Sequence, residues 1–189
     1  MEKHKLTREH ALLLLEEFNQ EESHMTHALT VGYVMRHFAD LYSGDPDLWE
    51  ITGLIHDLDY EKFPEEHCVK TGKILEERGW PEDIIRAAVS HGYPTCTDIE
   101  PLTDMEKVLY TVDELTGLVY AAALMRPTRM EGMSLKSLKK KWKDKSFAAG
   151  VNREIITTGA EKLGMPLDEV MLQTIEAMGK VAEAIGLNA

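Results

Sequence analysis

The apolar positions of this chain recur three and four residues apart almost throughout, and alternating runs of β-branched residues are missing. That period belongs to amphipathic helices. Thr7 reads as an N-cap, followed by a helix to about Phe18 with Leu12, Leu15 and Phe18 on one face. A longer helix is predicted from about Glu22 to Leu41, carrying His24, His27, Val31, Val34, Met35 and Phe38. Ser43-Gly44-Asp45-Pro46 ends it, and Pro46 suits the first turn of the next helix, Asp47 to about Leu58. Asp59 to Pro64 reads as a loop. A helix from Glu65 to Arg78 then holds His67 in its first turn, with Gly79 as its stop. Pro81 opens a helix that reaches His91-Gly92, and Tyr93 to Leu102 reads as a loop. Thr103 or Asp104 caps a helix that carries Asp113-Glu114 and runs to about Met125. In the last third, Ser134 caps a lysine-rich helix. Phe147-Ala148-Ala149-Gly150 turns into a helix ending at Leu163-Gly164, and Met165-Pro166 opens a final helix through Ile185. Ile155, Ile156, Leu163, Val170, Leu172, Ile175, Met178, Val181 and Ile185 are the expected core positions of these last helices. The expected fold is all-α.

The length of 189 residues suits one domain, read as residues 1–189. At 43% hydrophobic and 29% charged, the composition is that of an ordinary soluble globular protein. No secretory leader opens the chain, and the first apolar run, Ala11 to Leu15, is far too short for a membrane span. The expectation is a cytoplasmic protein with reduced thiols and no membrane partner. Cys68 and Cys96 match no zinc spacing and read as ordinary core or loop thiols. The formal net charge of -12 speaks against a nucleic-acid partner. The charge is uneven, however: Lys136, Lys139, Lys140, Lys141, Lys143 and Lys145 share one short stretch. Such a patch either steers a small anion or is a solvated helix face.

The chemistry concentrates at Gly53-Leu54-Ile55-His56-Asp57-Leu58-Asp59-Tyr60. An apolar helix arrives at a core and delivers a histidine beside an aspartate. Burying that pair is costly without a partner, and one divalent metal would ligate both. Further donors follow the same logic: His27, His67, His91 and Asp113 each fall on a separate predicted helix. Helix bundles build metal sites by projecting such side chains from several helices to one point. Six N/O donors suit one octahedral ion or two ions sharing the aspartate, and they favour iron, manganese, magnesium or another N/O-loving metal over a structural zinc site. His24, one turn before His27, could replace it or touch substrate, though a plain surface residue is the simpler reading, and His4, His10 and His37 read as unremarkable. Tyr60 and Tyr93 adjoin donors and could stack on a substrate ring or pack at a rim. Met105, Met125, Met130 and Met133 read as core filler, and Trp142 as an anchor for its helix.

The order His, His-Asp, His, His, Asp resembles the HD superfamily of metal-dependent phosphohydrolases, in its dinuclear form. Gly53 to Glu61, Val112-Asp113-Glu114-Leu115-Thr116-Gly117 and Lys145 to Arg153 are similar to one branch of predicted HD-domain hydrolases, and the likeness runs from about Ser23 to near the C-terminus. The resemblance implies an HD-type helical bundle, with a metal-binding core over about 23–125 and a C-terminal helical extension over about 126–189. It implies that His27, His56, Asp57 and Asp113 hold one divalent ion, that Asp57, His67 and His91 hold a second, and that Asp57 bridges. It implies hydrolysis of a phosphate ester or anhydride in a small anionic molecule such as a nucleotide, by metal-activated water. Asp59, Glu61 or Glu114 would orient that water or a ligand imidazole from behind. Dinuclear relatives often read His-Asp-Ile-Gly-Lys, with the lysine on a substrate phosphate. Asp59-Tyr60 stand at the Gly-Lys positions here, so a cationic clamp must come from elsewhere. Arg126, Arg129, Lys140, Lys143 and Arg153 are the candidates, and Tyr60 is a further substrate contact. A metal-binding regulatory protein without catalysis and a di-iron, oxygenase-like enzyme are the alternatives.

Overall fold

The computed structural model describes residues 6–189, so the reading of His4 lies outside the described residues. Among them are nine α-helices, one short 3-10 turn and no strand. The helices are α1 (Arg8–Phe18), α2 (Glu22–Leu41), α3 (Pro46–Ile55), α4 (Val69–Glu77), α5 (Glu82–Ser90), α6 (Asp104–Leu124), α7 (Leu135–Lys143), α8 (Arg153–Leu163) and α9 (Leu167–Lys180), with the 3-10 turn at Pro64–Glu66. No helix of the described residues is long and apolar enough to cross a membrane.

The starts of these helices follow from their caps. Thr7 accepts from His10 N ahead of α1, and Asp45 accepts from Asp47 N and Leu48 N with Pro46 in the first turn of α3. Thr103 and Glu106 form a reciprocal capping box on α6. Ser134 caps α7, and Asn152 caps α8.

Three expected boundaries are corrected. Helix α3 stops at Ile55, so His56 is its C-cap and Asp57 lies in the following turn rather than within a helix reaching Leu58. The expected helix from Glu65 is broken, because Cys68 takes φ 67°, ψ -49° and α4 starts only at Val69. His67 therefore sits on the bend between the 3-10 turn and α4, not in a first helical turn. The final helix ends at Lys180, and turns carry the chain to Gly186. Ile185 and Leu187 still bury their side chains in the core. Met125, expected in the core, is 66% exposed, whereas Met105, Met130 and Met133 are buried.

Two apolar clusters fill the interior. One joins α2 and α6 to α8 and α9 through Val34, Phe38, Leu115, Ile156, Val170 and Met178. The other joins α1 and α3 to α4 and α5 through Leu15, Ile51, Ile55, Leu75 and Ile84. Helices α2 and α3 form the most extensive pair. They touch backbone to backbone: a Cβ on Gly53 would lie 2.8 Å from Gly32 Cα. That approach brings the middle of α2 beside the end of α3. Buried Glu50 ties the same corner, accepting from Arg8 Nε at 2.6 Å and Arg36 Nη1 at 2.9 Å.

Candidate metal centre

Four helices converge on one cleft. His27 projects from α2, His56 and Asp57 from the end of α3, His91 from the C-cap of α5, and Asp113 from α6. His67 joins them from the bend before α4. The structure brings all six expected donors together.

Asp57 divides the cluster in two. Its Oδ2 lies 3.6 Å from His27 Nε2 and 3.4 Å from His56 Nε2. Asp113 Oδ1 closes that side, 2.9 Å from His27 Nε2 and 3.3 Å from His56 Nε2. The other oxygen, Oδ1, faces His91 Nε2 at 3.2 Å and His67 Nε2 at 3.7 Å.

The imidazoles are held from behind. His56 Nδ1 meets Gly53 O at 2.7 Å, and His91 Nδ1 meets Ala88 O. His67 Nδ1 meets Asp59 Oδ1 at 2.8 Å. With Nδ1–H donating to these oxygens, each Nε2 lone pair is aimed into the cluster, which is the tautomer a metal ligand needs. Asp59 is fully buried, and its Oδ2 also accepts from Thr71 N at 2.7 Å. It is an orienting group for His67 and does not face the cleft.

The electrostatics match this arrangement. Burial lowers His27, but Asp113 and Asp57 outweigh it and raise the imidazole above its usual value. Burial likewise lowers His67, but Asp59 and Asp57 raise it to about 10. His91 is raised well above its usual value by Asp57, against burial. Burial would lift Asp57 and Asp113, yet the surrounding imidazoles hold both carboxyls well below the usual carboxylate range. The cluster is built to bring negative oxygens and positive charge together in one place.

A family model described as HD domain matches residues 25–124, just over half of the chain. The chain belongs to the HD domain family. Members of that family are for the most part metal-dependent hydrolases. No curated protein matches the chain, and no solved structure does.

The donors of this HD domain fit divalent ions on an observation of their own. Among the described residues, Asp57 Oδ1 is buried and accepts no well-aligned hydrogen bond, although two imidazoles stand within 3.7 Å. A buried carboxylate oxygen without a donor is costly, and a cation is the partner that relieves it. The His/Asp group His27, His56, Asp57 and Asp113 could hold one metal ion, since its donor atoms lie within 4.8 Å of one another.

The remaining predicted residues divide. Glu114 lines the cleft and accepts from Asn152 N at 2.9 Å. Burial, aided by the Asp113 charge, raises its carboxyl above the usual value against that bond. Tyr60 also lines the cleft, its ring edge-on to His67 at 5.2 Å. The expected cationic clamp is not brought there. Arg153 spends its guanidinium on carbonyls of its own neighbourhood, among them Phe147 O at 2.6 Å and Trp142 O at 3.0 Å. Arg126 donates to Arg129 O and Glu131 O, and Arg129 to Leu124 O. Lys140 and Lys143 are exposed on α7 and do not line the cleft. The lysine stretch is a solvated face, with Lys139 paired to Asp168 at 2.6 Å. Trp142 anchors α7 against the core, as expected.

Cys68 is a core thiol and Cys96 a loop thiol, as expected, but the places of His24 and Cys68 beside the cluster were not read from the sequence. His24, taken for a surface residue, lines the cleft and meets Glu61 Oε2 at 3.2 Å. Glu61 itself caps the start of α2 by accepting from Gln20 N and Glu21 N. Cys68 is fully buried with Sγ 3.9 Å from His91 Nε2, and Cys96 lines the cleft mouth. Burial pushes the Cys68 thiol up, but His67 and His91 outweigh it and bring it down to about 7. Only the adjacency of Cys68 to His67 could have signalled this, because His91 arrives from another helix.

Proposed function

We propose that this protein is a phosphohydrolase acting on a small phosphate ester, with two divalent ions held about Asp57. The observation that carries the reading is the division of donors by Asp57, one carboxylate oxygen toward each histidine group. When bound by His27, His56, Asp57 and Asp113 and by Asp57, His67 and His91, such ions would supply a hydroxide nucleophile near neutral pH and neutralise charge on a phosphoryl group.

The chain's own residues set the rest. Asp59 fixes the His67 ring. Glu114, with its carboxyl raised by burial, is placed to hold a proton at the cleft and pass it to a leaving oxygen. Tyr60 provides a flat wall beside His67.

The lining also narrows the substrate. Among the described residues, no lysine or arginine lines the cleft, while Asp57, Asp113 and Glu114 do. Phosphate charge would be met by the ions alone, which favours one phosphate over a polyphosphate chain. A neighbouring cavity of about 480 Å³ shares His27 and Gly117 with the cleft. Glu22, Thr26, Thr30, Tyr120, Ala121 and Leu124 are among its lining, a seat of apolar surface and hydroxyls with one acid at its side for the organic part of the ester. The acidic net charge and this lining argue against a nucleic-acid substrate. We place the protein in the reducing cytoplasm, which suits its two free thiols.

A panel of phosphate monoesters, diesters and nucleoside triphosphates, assayed with added Mn²⁺, tests the reading. Phosphate release is expected from monoesters, and its loss in His56→Ala. Metal-replete protein that hydrolyses none of them, with His56→Ala changing stability alone, would overturn it.

A further inference from the structure

We propose that Cys68 is itself a metal ligand, its sulfur joining His67 and His91 at the second ion position and turning that position toward zinc, cobalt or ferrous iron and away from magnesium. The inference rests on the metal-centre reading above and adds a donor of a different kind to it.

The placement is specific. Donor atoms of His67, Cys68 and His91 all lie within 4.8 Å of one another, a second group distinct from that of His27, His56, Asp57 and Asp113. The thiol is fully buried, and His91 is 5% exposed. The backbone at Cys68 adopts φ 67°, a left-handed value that a non-glycine residue seldom takes, and this bend seats the sulfur against His91. Cys68 is the N-cap of α4, where its carbonyl accepts from Gly72 N, yet its side chain makes no capping hydrogen bond, so the thiol is not spent on the helix end. Across from it the chain has removed a side chain: a Cβ on Gly92 would stand 2.3 Å from Cys68 Sγ. A glycine is required at that position for the thiol to sit where it does. Asp57 Oδ1, the buried oxygen without a well-aligned hydrogen-bond donor, faces His67 and His91 from the other side.

These four donors, two imidazoles, one carboxylate oxygen and one sulfur, are a mixed set. A sulfur donor selects borderline ions over hard ones, whereas magnesium takes oxygen ligands. On binding, the S–H bond breaks, its proton leaves to solvent, and the sulfur lone pair forms the metal–sulfur bond.

The test is a cobalt titration of the reduced full chain, followed by absorption. Cys68 ligation is expected to give an intense near-ultraviolet sulfur-to-cobalt band that saturates with one of two bound ions. Cys68→Ser should lose the band and keep the other ion, whereas Cys96→Ser should keep it. Stoichiometric cobalt with no such band, or a band that survives Cys68→Ser, overturns the proposal and leaves the His/Asp centre standing. Absence of any bound cobalt overturns both. Should Cys68→Ser fail to fold, X-ray absorption of the zinc-loaded, unsubstituted protein decides instead. A sulfur neighbour at about 2.3 Å supports the proposal, and a shell of nitrogen and oxygen alone overturns it.

Discussion

Asp57 is one residue serving two sets of donors, and its substitution should therefore act on both. Asp57→Ala is expected to lose the metals and turnover together; retained stoichiometric metal by elemental analysis would contradict the assignment. Asp59 acts on one side only. Asp59→Asn should weaken the ion at His67 by about 10–100-fold and spare the other, as read by competition with a chelator. The protonation pattern predicts a pH dependence with a definite sign. His67, raised from 6.5 to about 10, and His27 and His91, also raised, contribute stability that is full below the unfolded imidazole range and is lost as pH climbs through the folded values. Asp57 and Asp113, both lowered, contribute stability above the unfolded carboxylate range that is lost in acid. Chelator-treated protein should thus melt at falling temperatures as pH rises from about 6.5 towards about 10, while the gain from added metal widens over the same window, since ligands must be deprotonated. A melting temperature that rises with pH in chelator would sink this. At this scale much of the site was legible: His56-Asp57 followed an apolar run, and the other donors kept an order. Cys68 was not, because its place depends on a single backbone angle and on a glycine 24 residues away.

Among the elements, the pairing of α2 with α3 sets the spacing between His27 and His56. Gly53→Ala puts a methyl 2.8 Å from the Gly32 backbone, where neither helix can yield cheaply. A loss of about 1–3 kcal/mol in urea unfolding is expected. Gly179→Ala on α9, with nothing within 4 Å of the new carbon, should instead gain about 0.5–1 kcal/mol. Equal effects of the two would remove the argument from close approach. Helix existence was readable from period and caps, as Thr7, Asp45, Thr103 and Ser134 show. Helix ends near the cleft were not. The 3.6-residue pattern continues past Ile55 and through His67, whereas the chain turns at both to aim donors inward. The lysines of α7 were weighed as an anion clamp on charge alone; distance in the fold decides otherwise.

Across the whole molecule, the family match ends at residue 124 but the core does not. Ile156, Val170, Met171, Ile175 and Met178 belong to the same buried cluster as Val34 and Leu115. The reading of the chain as one domain predicts that a protein ending at Met125 exposes that face of α6 and loses fixed packing. Near-ultraviolet circular dichroism would check this, and a native-like spectrum would argue for a separable extension. Asn152, which caps α8 and bonds Glu114, would be missing from that shorter chain, so the cleft would lose a wall as well. Helices α3 and α5 both present their carbonyl ends to the cluster, through Gly53 O and Ala88 O. Each such end carries about half a negative charge from the helix macrodipole, added to Asp57, Asp113 and Glu114. In metal-free protein the raised imidazoles of His27, His67 and His91 are already paired with Asp113, Asp59 and Asp57, so an incoming phosphate finds no free cation among them, which makes binding compulsory in sequence: metal first, phosphate second. Inorganic phosphate should give no heat with chelated protein and a measurable one after metal is restored.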